Sequence, residues 1–223
     1  MNSRLPERGR PYFCSWSGGK DACLAMYRAW RGGAGKPRYL LTTLEEDGSR
    51  SRGHGIPAEV LERQAACIGV PLLTVPTTWE GYEENFREML RKMAPAGVTA
   101  GVYGDIELEA HREWVERVTA AEGMRSFLPL WLDKRRVLLQ EFLDAGFTAT
   151  IVAVKDDCLG PEFVGRVLER ATISEFEALG IDACGEDGEY HTLVTGGPVF
   201  GTPLEVKQGE TVKRDGSWVL EIS

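Results

Sequence analysis

Apolar residues fall along this chain in two alternating textures. Compact apolar runs at residues 12–16, 38–44, 72–77, 98–103, 126–130 and 148–154 are bounded by glycine, proline or charged positions and read as buried strands. Between them, residues 21–31, 57–68, 82–93, 108–122 and 137–145 carry helical spacing. In the first of these, Cys23, Met26, Tyr27 and Trp30 stand at i, i+3, i+4 and i+7 and form one apolar stripe. Pro57 suits the first turn of the second helix, where its missing N–H costs little. Strands alternating with helices predict an α/β fold with an open, mostly parallel sheet.

The texture changes beyond about residue 154. Residues 165–179 predict one more helix, followed by short strands at 185–194, 198–200, 204–207, 210–213 and 218–222. Asp215-Gly216 is a hairpin signal joining the last two. The expected organisation is a nucleotide-binding α/β domain over residues 10–125 and a smaller α+β domain over 126–223 that reads the substrate.

Composition narrows the function classes. The 223 residues are 43% hydrophobic and 27% charged, a globular balance without a disorder signature. With 34 acidic against 26 basic residues the net charge is -8, and no long basic run occurs, which counts against an extended nucleic-acid surface. The opening residues 1–8 lack an apolar leader core, and no stretch has the length of a membrane span, so the expectation is a cytoplasmic protein with no membrane partner. Five scattered cysteines without a C-x-x-C pair predict reduced thiols, mostly in the core.

The candidate chemistry starts where the first strand meets the first helix, at Ser17-Gly18-Gly19-Lys20-Asp21. Glycines there let the backbone approach an anion, and the helix N-terminus adds N–H donors and positive dipole. Ser17 offers a hydroxyl and Lys20 a compact charge. A Walker loop does not fit: Cys14 stands where its first glycine belongs, and Asp21 where its Ser/Thr belongs. The same residues could be a tight turn with Asp21 capping the helix, but their coincidence at this junction favours phosphate.

This loop resembles the S-G-G-x-D-S pyrophosphate loop of the N-type ATP pyrophosphatases and adenine-nucleotide alpha-hydrolases. Within that group the chain resembles the diphthine-ammonia ligase family, through Ser15-Trp16-Ser17-Gly18-Gly19-Lys20-Asp21, His54-Gly55-Ile56-Pro57, Gly104-Asp105-Ile106 and Gly185-Glu186-Asp187-Gly188-Glu189-Tyr190-His191-Thr192. The resemblance implies a HUP-like nucleotide-binding domain and an ATP-dependent amide synthesis. In that reaction a carboxylate takes AMP from ATP, pyrophosphate leaves, and ammonia displaces AMP. It also implies that Ser15, Ser17, Gly18, Gly19, Lys20, Asp21 and His54 contact the nucleotide. Two departures stand out: Ala22 replaces the final serine, and residues 104–114 do not follow the I-x-S-x-Y-Q-x-x-R pattern of other members.

Read physically, Lys20 and the glycine amides would stabilise the leaving pyrophosphate, and Asp21 is the candidate ligand for Mg²⁺. Leu41, Thr42 and Thr43, ending the second strand, are candidates for the adenine and are equally plausible as plain strand residues. Asp105 follows the fourth strand and could hold magnesium, orient the acceptor or cap the next helix. In the 185–192 stretch the acids Glu186, Asp187 and Glu189 surround a turn. Normal strand alternation would set Glu189 and His191 on one face, where a carboxylate beside an imidazole could bind ammonium or take its proton. Lys20, Asp105, Glu186, Glu189 and His191 are therefore the catalytic candidates. The expected partners are ATP, ammonia and a small or protein-linked carboxylate, with a homodimer as a candidate assembly. Rival readings are a base- or RNA-modifying relative and an ATP sensor without catalysis.

Overall fold

The computed structural model describes residues 4–223, so Met1, Asn2 and Ser3 of the polar start lie outside the described residues. Packing divides the chain into two compact units. The first holds the described residues through Ser17, with Asp21–Gly53 and Gly69–Leu132. The second gathers Gly18–Lys20, His54–Ile68 and Asp133–Ser223.

The first unit is built on five parallel strands, β1 (Tyr12–Ser15), β2 (Tyr39–Leu44), β3 (Leu72–Pro76), β4 (Ala100–Val102) and β5 (Arg125–Phe127), in the order β3-β2-β1-β4-β5. Chain order reverses between β1 and β4, which is the switch point where open α/β sheets bind ligands. Helix α1 (Lys20–Ala29) follows β1 and closes in a π turn, Trp30–Ala34, at Gly33, whose φ is 101°. Helices α3 (Tyr82–Met93) and α4 (Glu109–Ala121) bury Phe86, Met89, Leu90, Met93, Val115 and Val118 in a cluster with Phe13 and Leu41 of the sheet. Right-handed crossovers, which rise on opposite sides of a reversal point, account for their shared face.

The second unit contains α2 (Ala58–Ile68), α5 (Arg135–Asp144), α6 (Arg170–Ala178) and an antiparallel sheet of β6 (Thr148–Lys155), β7 (Tyr190–Gly196), β8 (Gln208–Arg214) and β9 (Ser217–Ile222), ordered β7-β6-β9-β8. The sixth apolar run of the sequence is thus β6 of this sheet and does not extend the parallel one, since alternation with helices does not say which sheet a strand joins. Asp215 and Gly216 carry φ of 47° and 79°, as a tight hairpin turn requires.

Four predicted elements are corrected. The helix expected from residue 165 begins at Arg170, because residues 165–168 pair with β6 instead: Ile151 N–H donates to Arg166 O and Leu168 N–H to Ala149 O, each at 2.9 Å. Residues 198–200 and 204–207 are not strands; Pro198 and Pro203 bring no N–H to a ladder. The strand expected from 185 starts at Tyr190, after turns at Gly185 and Gly188 with φ of 72° and 83°. No helix among the described residues is long and apolar enough to cross a membrane.

Candidate functional site

In the first unit the end of β1 is held by its neighbour. Trp16 N–H donates to Leu41 O at 2.8 Å, and the Thr42 hydroxyl donates to Trp16 O at 2.6 Å. Leu41 and Thr42 are buried in this way and serve the sheet, while Thr43 is half-buried and accepts from Arg52 N–H through its carbonyl. Gly104 lies so close to the start of α1 that a Cβ would fall 2.9 Å from Ala22 N and from the Asp21 carbonyl carbon. That close approach explains why the chain needs glycine after β4, and it sets Asp105 at the carboxyl end of the sheet with Asp21 in the first turn of α1. Asp105 and Ser15 line one cavity, and the Asp105 carboxylate lies 3.3 Å from His111 Nδ1. Ser17 precedes the segment that belongs to the second unit. Burial pushes the Cys14 and Cys23 thiols well up, so both stay protonated as core residues. All five cysteines are free.

The second unit shapes the loop itself. Gly18 has φ of 79°, and a Cβ there would meet Leu61 Cδ2 at 2.7 Å and Gln64 Oε1 at 2.9 Å. The Gly18 carbonyl accepts two bonds, from Val194 N–H at 2.9 Å and from Gln64 Nε2 at 3.0 Å. The fully buried Gln64 amide also donates to Val194 O at 2.7 Å. Lys20 N–H donates to the Thr192 hydroxyl at 3.1 Å, and Lys20 Nζ lies 5.6 Å from the centre of the Tyr190 ring. The turn between Gly18 and Lys20 is therefore moulded on α2 and β7, and the lysine is only 6% exposed.

Beside it stand two histidines far apart in sequence. The His54 and His191 rings are 4.4 Å apart between centroids, and His54 Nδ1 is buried with no hydrogen-bond partner. Burial lowers the His191 pKa to about 4, helped by the Lys20 charge. Burial also holds His54 well below the ordinary imidazole value, with His191 and Lys20 adding to it. Both imidazoles are neutral at neutral pH and can accept a proton.

The acidic motif is organised by a residue outside it. Asp182 accepts from Cys184 N–H at 3.1 Å and Glu186 N–H at 3.0 Å, and is paired with Arg135 at 2.6 Å. Gly185 then turns where a Cβ would meet the Tyr190 ring at 2.8 Å, and the Tyr190 hydroxyl donates to Ala183 O at 2.7 Å. Glu189 is buried at the entrance to β7, its carboxylate accepting from Asp187 N–H at 3.1 Å and its carbonyl from Lys155 N–H at 2.9 Å. Lys20, His54, Glu189 and His191 thus belong to one packed unit, as does Glu186. Gln64 and Asp182 are supporting residues that motif reading did not single out, and Thr192 stood at the end of the 185–192 motif without an assigned role. A buried glutamine in an amphipathic helix was the one available signal.

Two family models match nearly the whole chain. The diphthamide synthase N-terminal domain covers residues 12–126 and the diphthamide synthase C-terminal domain residues 134–222. A diphthine--ammonia ligase of Rattus norvegicus is 26% identical over 222 residues, spanning 88% of this chain and 82% of the relative. One of Danio rerio is 25% identical over 223 residues, spanning 88% and 86%. A solved structure described as a predicted subunit of tRNA methyltransferase from Methanocaldococcus jannaschii aligns with a TM-score of 0.47 at 13% identity, covering 84% of this chain and 97% of that one.

Proposed function

Since the chain belongs to the diphthamide synthase family, we propose that it is an ATP-dependent ligase that adenylates a carboxylate and amidates it with ammonia. The observation that carries this reading is the gathering, in one unit, of the Gly18–Lys20 turn with two neutral imidazoles and a buried carboxylate. A site that only held ATP would have no use for proton acceptors beside its lysine.

The chemistry divides into two displacements. An acceptor carboxylate oxygen attacks the α-phosphorus, and the bond to the bridging oxygen breaks, releasing pyrophosphate. Gly18 fits this role because its position admits no Cβ, so a backbone cradle is kept, and Lys20 supplies positive charge where the leaving group gains negative charge. Ammonia then attacks the acyl carbon, its extra proton passes to an imidazole, and the acyl C–O bond to AMP breaks. His191 suits the proton transfer because the environment keeps it unprotonated before the attack. Glu189 would attract ammonium and Glu186 would add to the acidic surroundings. Magnesium fits the hard oxygen donor of Asp21, and there it would offset phosphate charge. Ser15, Ser17 and Asp105 complete the nucleotide and acceptor contacts in this reading.

The test is product analysis with Mg-ATP, ammonium and fractionated acceptor. AMP and pyrophosphate are expected, with Lys20→Ala losing ATP binding. Glu189→Ala and His191→Ala should keep it while turnover falls by roughly 10²-fold or more. ADP with phosphate as products, or ATP affinity lost equally in all three variants, would refute the assignment.

A further inference from the structure

Helix α4 carries Arg112, Glu116 and Ala120 on one face, at i, i+4 and i+8, and that face meets β5, the edge strand of the parallel sheet. A cavity of about 530 Å³ lies between them, with Arg4, Arg125 and Trp131 also in its lining. Met124 and Leu128, both buried, supply its apolar surface. These residues all belong to the first unit, and none of them enters the chemistry proposed above.

Two of the guanidinium groups lie against rings. Arg112 Cζ is 5.1 Å from the centre of the Trp131 ring, and Arg125 Cζ is 4.9 Å from that of Phe127, which also lines the cavity. Stacking fixes the plane of each fork and leaves its edge to donate. One terminal nitrogen of Arg112 is bonded to Glu109 and one of Arg125 to Glu7, and both glutamates are exposed carboxylates that solvent screens. Arg112 Nε and Trp131 Nε1 are different: both are buried, and neither has a hydrogen-bond partner among the described residues. Glu116 stops 3.9 Å from Arg112 Nε, too far to accept.

Buried N–H groups are seldom left unmatched, because each forfeits the bond it made to water. Both of these atoms only donate, so what the site lacks is an acceptor. The lining sets its charge: three arginines stand against the single carboxylate of Glu116, a surplus of two positive charges among the described residues. A dianionic oxygen acceptor matches that surplus. The volume lies within the range of about 300–1,000 Å³ for small-molecule sites, so there is room for an organic group beside the anion.

The geometry points to a binding site for a small phosphate monoester between α4 and β5, its head accepting from Arg112 Nε and Trp131 Nε1 and its organic part lying on Met124 and Leu128. The Arg112 fork reaches such a head by a small turn, since the bond that ties it to Glu109 is at the surface. This site shares no residue with the Gly18–Lys20 turn and holds independently of the ligase reading.

Trp131 supplies the reporter. In ¹H–¹⁵N spectra of the full-length protein its indole resonance, identified by its loss in Trp131→Phe, should move downfield as phenyl phosphate is added, because an acceptor reaches a proton that had none. Sodium chloride at matched ionic strength should leave it in place. Calorimetry should show phenyl phosphate binding at least about tenfold more tightly than phenol, with roughly tenfold losses in Trp131→Phe and Arg112→Gln. Arg125→Gln serves if Arg112→Gln does not fold. Lys20→Ala should bind phenyl phosphate here as the native protein does, which separates this site from the loop. An unmoved indole resonance, the same movement with chloride, or equal affinity for phthalate would overturn the proposal, the last by making the site one for carboxylates. Binding abolished by Lys20→Ala and untouched by Arg112→Gln would overturn it by placing the phosphate at the loop.

Discussion

Acidification offers a direct test of how deeply His191 is embedded. Its pKa in the folded protein is about 4, set first by burial and then by Lys20, against about 6.5 for an unperturbed imidazole. Above pH of about 6.5 neither the folded nor the unfolded chain protonates it, and the full stability is present. Below that value the unfolded chain takes up a proton that the folded chain refuses, so stability falls as pH falls. The loss ends near pH 4, where the folded state also binds the proton. A gap of about 2.5 pH units corresponds to roughly 3 kcal/mol, somewhat less in practice because the ring is only half-buried. Urea unfolding of the native protein and of His191→Gln, across pH 7 to about 4, isolates this contribution, since every carboxylate is common to both. The difference in unfolding free energy between the two should shrink or invert by about 2–3 kcal/mol over that range. Parallel profiles would mean that His191 is solvated and that the neutral imidazole pair is not a property of the fold. Lys20→Met should shift the transition toward higher pH, because one of the two causes of the depression is gone.

Two further substitutions probe the loop. Gly18→Ala places a methyl 2.7 Å from Leu61 Cδ2 at a φ of 79°, so about 1–2 kcal/mol of backbone strain adds to about 1–3 of overpacking. Scanning calorimetry should show a melting temperature lower by several degrees, with weaker ATP binding; an unchanged melting temperature would refute the moulded loop. Gln64→Leu removes the amide from the Gly18 and Val194 carbonyls and should cost about 2 kcal/mol in chemical denaturation. A neutral outcome would show that water replaces both bonds.

The parts of this molecule that sequence makes legible are those where one short segment carries its own physics. The strand, glycine pair and apolar stripe of β1 and α1 are local, and so is Asp215-Gly216, whose positive φ values follow from the two residue types. The supporting contacts are not local. Lys20 N–H finds Thr192 across 172 positions and Gln64 reaches Val194 across 130, distances over which periodicity says nothing. Residues 165–168 mislead for a related reason: their composition suits a helix, but β6 offers backbone partners that win. The cavity lined by Ser15, Asp105 and Trp114 is half legible, because Asp105 stands at the end of a strand while nothing local to the sequence says that aromatic residues of α3 and α4 meet it there.

The hydrogen bonds from Val194 and Thr192 to the Gly18–Lys20 turn also set an order of events. A ribosome delivers the glycine pair early and the strand that shapes it near the end, so the nascent chain carries the Gly18–Lys20 sequence long before it carries the folded turn. Closing a contact over so long a separation is slow relative to forming α1 or the β8–β9 hairpin. If the turn holds nucleotide as proposed, affinity should arise late in synthesis, and a chain cut before β7 would carry Gly18, Gly19 and Lys20 without the Val194 and Thr192 contacts that shape them.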